Sequence, residues 1–145
     1  MTERHGYHPE MRHASPAAAC GPTTAHILLA HGSQDPQWPA AVQAVAERIR
    51  RLDPRVRIRC AYLEWARPDL AAAIEELIAE GAQAIAVWPM FLGLGRHARE
   101  DLPRLIALAQ AQIQTHSPSV TLTLQPAIAE HTSVLDAMAQ VICSS

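Results

Sequence analysis

AIAVWPMFLGLGRHARED, residues 84–101, decides how this chain folds. Ala84 to Trp88 is continuously apolar, and Pro89 ends the run because it offers no N–H to a ladder. A short apolar run bounded in this way reads as a strand buried on both faces, the pattern of a central strand in a parallel sheet. The segment stays greasy past the proline, through Met90, Phe91, Leu92 and Leu94, and turns polar at Arg96 and His97. Gly93 and Gly95 let the backbone turn there.

Elements of alternating period lie on both sides. Upstream, Pro68 and Asp69 open a helix with Leu70, Ala73, Ile74, Leu77 and Ile78 on one face, closed by Gly81. Before it, Val56, Ile58, Cys60 and Tyr62 alternate with Arg55, Arg57 and Arg59, as in an edge strand whose charges discourage further pairing. Pro39 to Leu52 repeats apolar residues at three and four, an amphipathic helix, and Ala25 to Ala30 reads as a buried first strand ending at His31. Ser33 and Asp35 stand where helix N-caps belong. Downstream, a helix is expected from about Arg99 to Gln114, a strand around Val120, Leu122 and Leu124, and a last helix from Ser133 to Ile142. Four strand–helix alternations imply a three-layer α/β domain: a parallel sheet, order 2-1-3-4, with helices on both faces. Its crevice opens outside the carboxyl ends of strands one and three.

Residues 1–23 mix Gly, Pro, Ser and His without apolar periodicity and read as a flexible extension, leaving 24–145 as one domain. His5, His8 and His13 in it read as incidental. A chain of 145 residues buries about 70% of its unfolded surface, enough for one core. The net charge is −2 and all twelve basic residues are arginine, so no basic field points to nucleic acid or an anionic membrane. The run RIRRLDPRVRIR at 48–59 reads as solvated faces of a helix end and an edge strand. Cys20, Cys60 and Cys143 form no C-x-x-C pair, which fits reduced thiols in the cytoplasm, and no apolar run reaches the ~20 residues of a membrane span. GLG at 93–95 lacks the third glycine of a dinucleotide fingerprint, and no nucleotide cofactor is expected. Ser33 lacks a G-x-S-x-G elbow, which removes the hydrolase reading.

Three chemistry-bearing side chains fall at strand ends: His31 after the first, Glu64 after the second, and His97 in the loop after the third. Adjacent strands are about 4.8 Å apart, so both imidazoles can face one small volume. Imidazole suits cobalt, nickel, iron and zinc alike. Two imidazoles leave coordination positions open, which fits transfer of a metal better than its storage.

LLAHGSQDP at 28–36, AYLEWARPDL at 61–70 and WPMFLGLGRHAREDLP at 88–103 resemble the signature segments of the short class II chelatases, the sirohydrochlorin cobaltochelatase and ferrochelatase group. The resemblance spans about 24–142 and implies a flavodoxin-like, chelatase-like fold. It implies that His31 and His97 hold the metal, that Glu64 is the acidic partner, and that Co²⁺, Fe²⁺ or Ni²⁺ is inserted as a substrate into a tetrapyrrole by a homodimer. In that setting Met90 to Leu94, with Phe91 and Leu92, would wall a flat macrocycle, and Arg96, Arg99 and Arg67 would meet its carboxylates. Arg96 stands where the family commonly has glycine. Alternatives from other classes are a non-catalytic metal-binding protein or metallochaperone using the same histidines, and a tetrapyrrole binder without turnover; core packing or an interface would account equally for Phe91 and Leu92.

Overall fold

The computed structural model describes residues 24–145; residues 1–23, with the expected extension, its three histidines and Cys20, lie outside the described residues. Strands and helices alternate: β1 (Thr24–Ala30), α1 (Ala40–Leu52), β2 (Arg57–Tyr62), α2 (Leu70–Ala79), β3 (Ala84–Pro89), α3 (Arg96–Gln114), β4 (Thr121–Leu124), a 3-10 turn (Ile128–Glu130) and α4 (Thr132–Cys143). All pairings are parallel and the order is β2-β1-β3-β4, as the alternation predicts.

The period of two divides each central strand between two cores. Ala25, Ile27 and Leu29 of β1, with Ile85 and Val87 of β3, pack against Leu70, Ala73, Ile74 and Leu77 of α2 and Leu102, Ile106, Ala109 and Ile113 of α3. Ile27, Leu29, Ile85 and Val87 are fully buried, each contributing about 2 kcal/mol relative to exposure. On the opposite face Leu28, Ala30, Ile58 and Tyr62 meet Val42 and Ala46 of α1.

Both edges of the sheet are blunted. On β2, the Arg59 guanidinium donates to Glu76 at 2.8 Å and also to Glu80, tying the strand to α2. These ion pairs raise the Arg59 pKa, the hydrogen bond to Glu76 contributing most. On β4, Gln110 of α3 accepts from the Leu122 N–H at 2.7 Å and donates to the Val120 carbonyl at 3.0 Å, so a side chain completes part of that ladder.

Three expectations are corrected. Ser33 and Asp35 do not cap α1: Ser33 Oγ accepts from the Asp35 N–H and Asp35 Oδ1 from the Gln37 N–H, forming successive turns, and the helix starts after Pro39. Their side chains satisfy loop amides because the loop runs several residues further before turning helical. α3 begins at Arg96, so His97 sits in its first turn and not in a loop; Gly95 is the N-cap. α4 does not cover the sheet, since none of its residues is buried, and Thr121 and Thr123 of β4 remain exposed.

Candidate functional site

The loops leaving β1, β2 and β3 are held together by the backbone at the carboxyl end of the sheet. Beyond the strand ends, the N–H groups of Leu63, Glu64 and Met90 donate to the carbonyls of Ala30, His31 and Leu29 at 3.0, 2.9 and 2.8 Å. Gly32 makes this clasp: its φ is +96°, and a Cβ there would stand 1.7 Å from the Glu64 carbonyl oxygen. Only glycine fits, and the backbone of His31–Gly32 therefore lies directly against the start of the β2–α2 loop.

His31 is exposed, and its ring lies against Phe91 with centroids 4.7 Å apart and planes tilted by 41°. Phe91 belongs to the core shared with α2 and α3, and only 9% of it is exposed. The greasy loop therefore divides its labour: Phe91 turns inward and supports His31, whereas Leu92 is 79% exposed. His97, the second residue of α3, is exposed, as are Arg96 and Arg99 in the same turn. That turn has no acidic residue, leaving a helix N-terminus and two guanidiniums as a positive end. Arg96 reaches Glu100 at 3.6 Å and Arg67 reaches Asp69 at 3.0 Å, both as exposed pairs.

Glu64 is exposed and directly precedes Trp65, whose φ is +64°. The Ala66 N–H donates to the Glu64 carbonyl at 2.8 Å, closing a three-residue turn around the tryptophan. A bulky side chain in the left-handed region costs about 1–3 kcal/mol. Yet Trp65 is 67% exposed, so burial of its own ring does not offset that cost. Trp65 and Leu92 are exposed on the loops that follow β2 and β3, and Trp38, from the β1–α1 loop, meets Tyr62 edge-to-face. The sequence reading missed Trp65; a large aromatic between Glu64 and Pro68, in a loop with no apolar period, was the available signal.

His31, Glu64 and His97 thus emerge at one end of the sheet, and the structure joins His31 to Glu64 through the backbone. It does not close them into a ligand cage: among the described residues no three His, Cys, Asp or Glu side chains converge closely enough to hold a metal ion.

A second set of histidines surrounds Trp88. Trp88 Nε1–H donates to His26 Nδ1 at 3.1 Å, and the His131 ring lies 5.7 Å from the indole. Burial lowers the His26 pKa below its ordinary value. Beside them an apolar groove of about 310 Å³ runs from α1 to Trp88, Met90 and Ile128. No helix of the described residues is long and apolar enough to cross a membrane.

Residues 25–145 match the sequence model of the CbiX family. Proteins named sirohydrochlorin cobaltochelatase are similar to it: one from Methanococcus aeolicus is 33% identical over 86 residues, covering 59% of this chain and 60% of that protein. Another, from Saccharolobus solfataricus, is 34% identical over 82 residues, covering 57% and 62%. The matches thus span about 60% of the length of these relatives. Among solved structures, a cobalamin (vitamin B12) biosynthesis CbiX protein from Marinobacter aquaeolei VT8 superposes with a TM-score of 0.72 at 30% identity, over 83% of this chain and 95% of that one. The sirohydrochlorin chelatase SirB from Bacillus subtilis subspecies spizizenii, in complex with cobalt, gives 0.67 at 23% identity over 84% and 50%, a likeness of fold.

Proposed function

The chain belongs to the CbiX family, and on that premise we propose that it inserts a divalent metal ion, Co²⁺ foremost and otherwise Fe²⁺ or Ni²⁺, into sirohydrochlorin or a related tetrapyrrole. The observation that carries this reading is the His31 imidazole, exposed and braced on the buried Phe91, with exposed Leu92 and Trp65 on the loops beside it. An imidazole held by ring packing keeps both nitrogens available, and apolar groups around it suit a flat macrocycle.

In this reading His31 and His97 present the ion to one face of the ring. The four ring nitrogens replace water and imidazole on the metal, two pyrrole N–H bonds break, and the two protons pass to the imidazoles or to Glu64. One dication replaces two protons, so the exchange balances in charge. The open donor set favours this over storage, because a ligand cage that held the ion tightly would oppose its release. The positive end of α3, with Arg96, Arg99 and, across the site, Arg67, would meet the peripheral carboxylates. The free thiols of Cys60 and Cys143 suit a reducing cytoplasm, and we read the working form as a homodimer.

The test is the absorption change of sirohydrochlorin with purified protein and Co²⁺, Fe²⁺ or Ni²⁺ supplied separately. Insertion above the metal-only background is expected for at least one ion; none above it would defeat the enzyme reading. Retained metal binding without insertion would favour a metallochaperone.

A further inference from the structure

Along the outer edge of β2 runs a polar trough of about 460 Å³ that the metal site does not use. It is lined by α1, by the edge strand and by Glu76 of α2, and Arg67 stands at one end.

Its arginines carry more donors than the described residues employ. A guanidinium has five N–H groups. Arg50 uses two of them, donating to Glu47 Oε1 at 2.7 Å and to the Ile58 carbonyl at 3.3 Å, and Arg67 uses one, donating to Asp69 at 3.0 Å. Arg59 also donates to the Ile58 carbonyl, at 3.0 Å, so two like charges are drawn to one oxygen at the edge of the sheet. An anion relieves such a pair, and guanidiniums hold carboxylates by charge-assisted hydrogen bonds. Glu47 and Glu76, the carboxylates of the trough, are each already engaged by an arginine. What the trough lacks is acceptors. At the opposite end the hydroxyl of Tyr62, a residue only 2% exposed, makes no hydrogen bond among the described residues, a deficit that burial makes costly.

Register sets the distance between the two ends. On α1, Arg50 follows Gln43 by seven residues, a rise of about 10 Å. On β2, Ile58 precedes Tyr62 by four residues, about 13 Å. Ala46 and Cys60 line the stretch between and offer it no charge. Donors at both ends and an apolar middle fit a linear molecule with an acid at each end. We propose that this trough binds a small aliphatic dicarboxylate, one carboxylate held by Arg50 at the Ile58 end and the other by Arg67 and Gln43 at the Tyr62 end. The hydrocarbon chain then lies along Cys60. The site is separate from His31 and His97 and stands whether or not the chain inserts metal; Arg67 alone is common to both.

The test is isothermal titration calorimetry of the full, metal-free chain with succinate, pimelate and suberate, and with heptanoate as the single-acid control. Pimelate or suberate is expected to bind once per chain, about tenfold or more tighter than succinate, which is too short to reach both ends, and than heptanoate, which has one acid. Arg50→Gln and Arg67→Gln should each weaken that binding about tenfold, with circular dichroism confirming that each variant is folded. If Arg50→Gln disturbs the fold, Arg67→Gln, whose side chain is 84% exposed, carries the same decision. The proposal is overturned by no saturable binding of any diacid, by heptanoate or succinate binding as tightly as the longer diacids, or by folded variants that bind like the wild type.

Discussion

His26 and His31 stand five residues apart at the two ends of one strand and meet opposite fates. His26 points to the α1 side, where it accepts the Trp88 indole N–H and burial lowers its pKa. His31 emerges beyond the strand on the side of α2 and α3, is exposed, and packs its ring, tilted by 41°, against Phe91. A hydrogen-bonded, desolvated imidazole is a packing group. One held by ring packing with free nitrogens can exchange metal and protons. The difference lies in what β3 and the loop after it supply at each level, the Trp88 indole in one case and the Phe91 phenyl ring in the other.

The sharpest break of this contrast is substitution of the two histidines. His31→Ala is expected to lower the rate of metal insertion about 10³-fold, as loss of a group acting on protons and metal does. His26→Asn should leave it within about threefold. Equal losses in the insertion assay would erase the distinction. His97→Ala should follow His31→Ala, and independence of His97 would remove it from the site.

Next in size is the clasp beneath His31. Gly32→Ala should cost about 3 kcal/mol in denaturant unfolding, because the added Cβ meets a backbone carbonyl and the φ of +96° opposes any side chain. An unchanged denaturation midpoint would mean that the loops are not held as described.

Trp65 trades stability for a surface. Trp65→Gly should stabilise the chain by about 1 kcal/mol by relieving the φ of +64°, while raising the KM for the tetrapyrrole about tenfold through loss of the exposed ring. A variant with the first effect and not the second would leave the strain without a binding role.

The smallest effect is on pH dependence. With the His26 pKa held below 6.5, the unfolded chain binds its proton at a pH where the folded chain does not. The histidine's contribution to stability is therefore full above pH 6.5 and is lost as pH falls through the lowered folded value. His26→Asn should flatten this part of the stability profile below pH 6.5, measured by thermal unfolding; an unchanged slope would remove His26 as its source.

Much of the architecture is legible because each strand writes its faces with a period of two and each helix with 3.6. Ala84 to Trp88 closed by Pro89 is enough to put β3 in the centre, and the arginines of 55–59 put β2 at an edge. The start of α3 is less legible, since Gly95 is a weak helix signal beside a serine or aspartate cap, and His97 therefore reads as a loop residue. Ser33 and Asp35 mislead in the opposite way, because the same side chains that cap helices also close turns. The stripe of α4 identifies it as a packed helix, and nothing local says whether the surface it packs on belongs to its own chain.

By itself the sequence determined the elements, their order and the histidines at the ends of the central strands, since these follow from local period and from residue types that only certain backbones accept. Tertiary structure decided which greasy residue supports the site and which faces outward, which histidine Trp88 silences, and which helix is left without a partner. These are outcomes of register between distant segments: Leu28 stands beside Trp88 and Leu29 beside Pro89 only once β1 and β3 have paired.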